Sequence, residues 1–257
     1  TYVTVYHGKQ IAALFGASVT DALGGSIVMI PSLLAGAAAA ALAGLLVGIP
    51  SLRLKGDYLA IVTLGFSEII RVIILNIPAV GGATGFTDAI PITNFFWIFS
   101  MAALTIAITR NIALSTFGRA LFAIRSDEIA AEAMGINTTR NKVMAFVISA
   151  ALAGVAGGLS GQLFANPLNP QNLNFVKSIE VIVMIVLGGI GSITGAVLGA
   201  TTLTILPEAL RTFDQQFPGL RMVIYALLLI LLMIFRPQGL LGRRELSWAW
   251  FRRGQTP

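Results

Sequence analysis

The sequence contains no cysteine, a single histidine and few charges for its length. Without cysteine there is no disulfide, no thiol nucleophile and no thiolate metal site, and cysteine usage says nothing about redox compartment. His7 alone excludes a multi-histidine metal centre, so no metal is expected. No G-x-x-x-x-G-K-[ST] run occurs, so no P-loop is available to cradle nucleotide phosphates, and no cofactor is expected on this chain. Only 11% of the 257 residues are charged, 17 basic and 11 acidic. An ordinary soluble domain carries about 25% charge. That scarcity excludes disorder and most soluble enzymes. With 56% hydrophobic residues, the chain reads as an all-α, polytopic integral membrane helix bundle. The net charge of +6 could suggest nucleic acid, but the apolar runs offer no soluble basic face, and no nucleic-acid partner is expected.

What is present is a series of apolar runs. Ile27 to Ile49 is uncharged and long enough to cross about 30 Å of hydrocarbon. Its Gly36, Ala40, Gly44 and Gly48 put a small residue at every fourth position, which clears one face for a neighbouring helix. Further spans are predicted over Tyr58 to Leu75, Phe95 to Ile108, Val143 to Phe164 and Met222 to Phe235. Ile179 to Leu206 is apolar but interrupted by Gly188, Gly189, Gly191, Ser192 and Gly195, which predicts two short half-spans or a kinked pair.

Basic residues set the orientation. If the Ser51 link, the 110–142 loop and the C-terminal tail share one side, it holds Arg53, Lys55, Arg110, Arg119, Arg125, Arg140, Lys142, Arg236, Arg243, Arg244, Arg252 and Arg253. Lys9, Lys177, Arg211 and Arg221 fall on the other side, and Arg71 lies within a span. The richer side is assigned to the cytoplasm, with the C-terminus there. The tail Ser247-Trp-Ala-Trp-Phe-Arg-Arg253 then anchors at the headgroup layer of the lipid bilayer.

Within the long loop, Ser126 to Gly135 has the marks of a short bounded helix: Ser126 as cap, Asp127 and Glu128 at the positive end of the dipole, and Gly135 as a left-handed terminator. A two-turn helix has little stability of its own and needs a surface to dock on, which suggests a partner on the cytoplasmic side.

Several separated stretches carry a family resemblance. Gly56-Asp-Tyr-Leu-Ala-Ile-Val-Thr-Leu-Gly65 with Glu68 and Arg71, Gly118-Arg-Ala followed by Arg125 to Gly135, Gly188-Gly-Ile-Gly-Ser192 and Arg236-Pro-Gln-Gly-Leu240 occur in this order. Together they resemble the M-type permease subunit of high-affinity branched-chain amino acid ABC importers, from about Ala43 to Leu241. The resemblance implies a subunit of the bacterial inner membrane that pairs with a second homologous permease, sits on two ATP-binding cassette ATPase subunits and receives substrate from a periplasmic binding protein. ATP would be used by those partners. It further implies that Asp127, Glu128, Ala131, Glu132 and Gly135 couple the chain to an ATPase. Such permeases usually have further spans before the position of Thr1, and the chain opens on Thr rather than Met, so an upstream portion is expected. On this basis residues 1–241 form a permease domain with a coupling loop at 110–142, and 242–257 form an interfacial tail.

Glu68 and Arg71, at i and i+3 in a span, are candidates for the substrate path, where a zwitterion needs complementary charge. The preferred alternative is a mutually neutralising structural pair near the bilayer edge. Glu180 and Lys177 read first as an interfacial ion pair. Gly188, Gly189, Gly191 and Gly195 serve helix packing or a hinge, with packing preferred. Gly158-Leu-Ser160-Gly161 matches the G-x-S-G of intramembrane serine proteases, but such chemistry needs an intramembrane base, and His7 precedes the first confident span. No catalytic residue is expected. A self-sufficient channel or secondary carrier is the alternative function, because broken helices suit it equally.

Overall fold

The structure is a computed structural model that describes residues 1–15, 22–54, 56–78, 81–82, 85–86, 93–163, 175–209, 227, 230, 234–235 and 239–242. The span expected at Met222 to Phe235, the tail and the Asn/Pro loop after Phe164 lie wholly or largely outside them. Nine helices are described: α1 (Tyr2–Phe15), α2 (Ala22–Ser51), α3 (Asp57–Leu75), α4 (Phe95–Leu114), α5 (Thr116–Ser126), α6 (Glu128–Ala133), α7 (Thr138–Gly161), α8 (Phe175–Gly188) and α9 (Ile193–Ala209). Four of them, within α2 and in α3, α4 and α7, are long and apolar enough to cross a membrane. The protein is thus an all-α, polytopic membrane bundle. It falls into two compact units, Thr1–Asn174 and Phe175–Pro257.

In the first unit, α2 and α7 pack antiparallel along a seam of small residues. A Cβ placed on Gly154 would lie 2.7 Å from both the Ala40 Cβ and the Gly36 carbonyl oxygen, and one on Gly44 would lie 2.7 Å from the Ala150 Cβ. Gly48 meets Phe146 further along, and Gly158 meets Thr4 and Leu33 at the opposite end, where α1 joins the seam. The every-fourth-residue stripe on α2 therefore does what its spacing suggests. Lipid tails are as apolar as leucine, so close backbone packing has to supply the cohesion. Polar side chains in these helices are spent locally: the Ser32 and Ser51 hydroxyls donate to the Val28 and Val47 carbonyls at 2.6 and 2.5 Å.

Two boundaries differ from expectation. α4 continues to Leu114, so Arg110 sits in its last turns, and α7 begins at Thr138, so Arg140 and Lys142 lie in its first turns rather than in a loop. Asn137 caps α7, accepting from the Arg140 N–H at 2.9 Å. Long basic side chains extend their head groups away from the hydrocarbon, so a helix can begin or end well inside a charged stretch.

In the second unit, α8 and α9 are the two halves of the interrupted segment. At about 1.5 Å per residue they measure about 21 and 25 Å. A Cβ on Gly188 would lie 2.1 Å from the Gly195 carbonyl oxygen, so the two backbones touch where they meet. Gly189 and Gly191 turn the chain at φ +120° and +104°, values that side chains other than glycine's seldom reach. Ser192 then caps α9, its hydroxyl accepting from the Gly195 N–H at 3.0 Å. The carbonyls of Leu187 and Gly188, at the end of α8, accept from Leu240 and Leu241 N–H at 2.7 and 3.2 Å. The Gly239–Gly242 segment thus satisfies a broken helix end that hydrocarbon could not solvate.

Candidate functional site

The segment between α4 and α7 is a chain of tightly capped short elements. Ser115 begins α5: its hydroxyl accepts from the Gly118 N–H at 3.1 Å. Gly118 is needed there, because a Cβ would fall 2.3 Å from the Ile112 carbonyl oxygen. α5 ends at Ser126, whose hydroxyl donates to the Phe122 carbonyl at 3.0 Å. Ser126 therefore does not cap the following helix. Asp127 does so, with extended backbone (φ −157°, ψ 114°) and a carboxylate that accepts from the Ala130 N–H at 3.0 Å. Two adjacent residues with good capping chemistry compete, and the one whose side chain is not already committed to the preceding helix wins.

α6 closes as its glycine suggests. Gly135 has φ +83°, its N–H donates to the Glu132 carbonyl at 2.9 Å, and the Ile136 N–H donates to the Ala131 carbonyl at 3.0 Å. This paired arrangement satisfies the last carbonyls of the helix. Nothing lies within 4 Å of where a Gly135 Cβ would stand, so backbone conformation alone selects glycine there.

The candidate coupling residues are all brought together here, with distinct surroundings. Ala131 is buried at 3% exposure. Glu128 reaches across to α7 and meets the Lys142 ammonium at 2.6 Å, both side chains about 30% exposed. Glu132 accepts from the Thr138 hydroxyl at 2.6 Å, and Thr138 is itself buried. Two residues that the sequence reading passed over also stand well open to solvent, Ile129 at 76% and Met134 at 83% exposure. Charges in a loop draw the eye, and Lys142, 14 positions from Glu128, carries no local signal of pairing. A shallow depression of about 390 Å³ beside the turn is lined by Glu132, Gly135, Ile136 and the start of α7.

Glu68 and Arg71 lie together on α3, a helix with no buried residue. The Arg71 Nε donates to both carboxylate oxygens at 3.0 Å, and its Nη2 also meets Oε1. The Glu68 side chain remains 55% exposed. Glu68 stands about 16 Å along the helix from Asp57 and about 10 Å from Leu75. Arg71 lines a mostly apolar groove of about 300 Å³ between α1, α2 and α3, with Tyr2, Ala40, Ser67 and Ile74. At the start of α8, Lys177 and Glu180 pair at 2.7 Å, as their spacing suggests. Among the described residues no group of three or more His, Asp or Glu could hold a metal.

Residues 7–233 match the family described as branched-chain amino acid transport system permease components. The chain is 36% identical to the high-affinity branched-chain amino acid transport system permease protein LivM of Salmonella typhimurium, over 75% of this chain and 52% of that one. It is 38% identical to LivH of the same organism, over 65% of this chain and 53% of that one. With the permease protein BraD of Pseudomonas aeruginosa it shares 39% identity, over 57% and 45%. The chain spans about half the length of the curated relatives it matches. No solved structure matches.

Proposed function

Because the chain belongs to the branched-chain amino acid transport system permease family, we propose that it is the membrane-embedded permease subunit of an ATP-driven importer for branched-chain or related neutral amino acids. It is a transport protein rather than an enzyme. Its setting is the bacterial inner membrane, with the α5–α6 side and the C-terminus in the cytoplasm, which the distribution of basic residues supports. Substrate arrives from a periplasmic binding protein and passes through a cavity shared with a second, homologous permease. Two ATPase subunits hold and hydrolyse the ATP.

The observation that carries this reading is α6. A six-residue helix between two spans, capped at both ends and carrying largely exposed apolar side chains, is built to be held by something else. Conformational change in the ATPases would move it and so switch the cavity between outward and inward access. Glu68 and Arg71 are proposed to face protein or water in the assembled transporter, because a helix surface carrying charge this deep is costly against lipid.

Copurification tests the proposal. The tagged protein should bring down a second permease and two ATPase subunits. Isolation alone, with uptake that persists when ATP is depleted, would establish the channel or secondary-carrier alternative. Calorimetric titration of the cognate binding protein with leucine, other neutral amino acids, amides and urea identifies the substrate.

A further inference from the structure

We propose that the joint between α1, α2 and α7 holds an ordered internal water, bound by Gln162, Thr93 and Thr4. That joint is a feature of the spans themselves, whatever the chain transports.

The three helices meet there in two layers. In one, the Thr4 hydroxyl fills the space beside two glycines: a Cβ on Gly158 would stand 2.9 Å from its Oγ1, and one on Gly36 would overlap it. In the other, the Gln162 amide takes the place a side chain on Gly8 would need, its Nε2 2.8 Å from that Cβ, with the Ser32 Oγ 3.4 Å from the same point. Four residues separate the layers on each helix, Thr4 to Gly8, Gly36 to Ser32 and Gly158 to Gln162, which is about 6 Å of rise. Thr93 joins the second layer from just before α4, its N–H donating to the Gln162 carbonyl at 3.2 Å.

All three side chains are shut away from solvent, Thr4 at 0%, Gln162 at 1% and Thr93 at 9% exposure. Each nevertheless keeps an oxygen without a hydrogen-bond partner: Thr4 Oγ1, Gln162 Oε1 and Thr93 Oγ1 are the only such buried side-chain atoms among the described residues. The neighbouring Ser32 hydroxyl donates elsewhere, to the Val28 carbonyl. A buried polar group without a partner is costly, and more so where the surroundings are hydrocarbon. Three of them at one joint call for a shared ligand.

The chemistry selects water. A buried water makes about three hydrogen bonds. It can donate to Gln162 Oε1, which only accepts, and to one threonine oxygen, while accepting from the other threonine hydroxyl. Bonds of about 2.8 Å on either side let one water bridge oxygens about 5.6 Å apart, close to the spacing of the layers. A metal cation is a poorer match, because none of the three side chains carries a charge to offset its own. The α2–α7 seam is closed by direct contact at Gly154, whereas the α1 joint is closed through water.

Thermal unfolding of the full chain in detergent tests this by sign. Removing one of the water's partners leaves the others worse served, so Gln162→Met, Thr93→Val and Thr4→Val should each lower the midpoint by about 2 to 8 °C. Truly unpartnered oxygens give the reverse: the same apolar replacements would raise the midpoint and overturn the proposal. Thr93→Ser keeps a hydroxyl and should stay within about 2 °C of wild type. A loss as large as that of Thr93→Val would trace the effect to the methyl group and count against the water. The Gln162→Met/Thr93→Val double variant should lose less than the sum of its singles, since both act on one water; strict additivity would contradict a shared ligand. Exchanging sodium for choline should leave the midpoint unchanged, and a sodium-dependent rise that disappears in Gln162→Met would mark a cation site instead. If the variants fail to fold, a high-resolution density map of the wild-type protein decides alone. A peak within about 3.2 Å of Gln162 Oε1 and of a threonine oxygen is expected, and a map with no peak there refutes the site.

Discussion

Gly154→Ala and Gly65→Ala make the same chemical change in the interior of two apolar helices and should have opposite effects. At Gly154 the new methyl would stand 2.7 Å from the Ala40 Cβ and from the Gly36 carbonyl oxygen, and 3.1 Å from the Ala37 Cα. None of these is the movable end of a long side chain, so α2 and α7 must separate by roughly an ångström. A gap of that size forfeits about a quarter to a half of the dispersion energy of the atoms lining it. Overpacking of this kind costs about 1 to 3 kcal/mol. Alanine returns up to about 1 kcal/mol through its better helix propensity, so at the middle of that range the net loss is about 1 to 2 kcal/mol. At Gly65 nothing lies within 4 Å of the added Cβ, so only the propensity gain remains. Thermal unfolding in detergent, followed by retention of the folded elution peak, reads the difference. For a chain of this size Gly154→Ala should lower the midpoint by about 2 to 8 °C, and Gly65→Ala should leave it unchanged or raise it slightly. A Gly65→Ala loss equal to that of Gly154→Ala would refute the seam as the source of cohesion.

Three further outcomes are expected. Asp127→Ala removes the α6 cap and should destabilise that helix by about 0.5 to 2 kcal/mol, read as faster amide exchange confined to the 127–136 segment; unaltered exchange there would assign the cap no weight. Gly188→Val places side-chain atoms against the Gly195 backbone and should abolish folded protein, whereas Ile190→Val, at an exposed position on the turn, should leave yield intact; equal yields would contradict the tight α8–α9 junction. If Glu68 and Arg71 line the substrate path, Glu68→Gln and Arg71→Gln should each reduce uptake with membrane abundance unchanged. Intact transport in both single variants, with membrane expression lost only in the double variant, would instead mark a structural pair.

Much of the architecture was legible because it is written locally. Long apolar runs mark α2, α3, α4 and α7, and the glycines from 188 to 191 mark the break, where Gly189 and Gly191 turn the chain at positive φ. Gly135 was equally legible as a helix terminator. Capping was less so: Ser126 and Asp127 have similar chemistry, and only the length of α5 decides between them. The partners of Glu128 and Glu132 could not be read at all. Glu128 is answered by Lys142 and Glu132 by Thr138, across a turn whose geometry no pattern of residue types specifies. The outward placement of Ile129 and Met134 follows from the same geometry. A helical wheel drawn from Asp127 rather than Ser126 puts Ala131, Glu128 and Glu132 on one arc, but only the α7 contacts say which arc faces inward.

The central claim is that this protein moves amino acid only when an ATPase drives it. Reconstitution with the proposed second permease, ATPase pair and substrate-loaded binding protein, in vesicles without an ion gradient, tests this most directly. Uptake of labelled leucine or the identified neutral substrate should begin on addition of ATP and stop when hydrolysis is blocked. Equal uptake with and without ATP, or uptake that requires only an imposed ion gradient, would contradict the account.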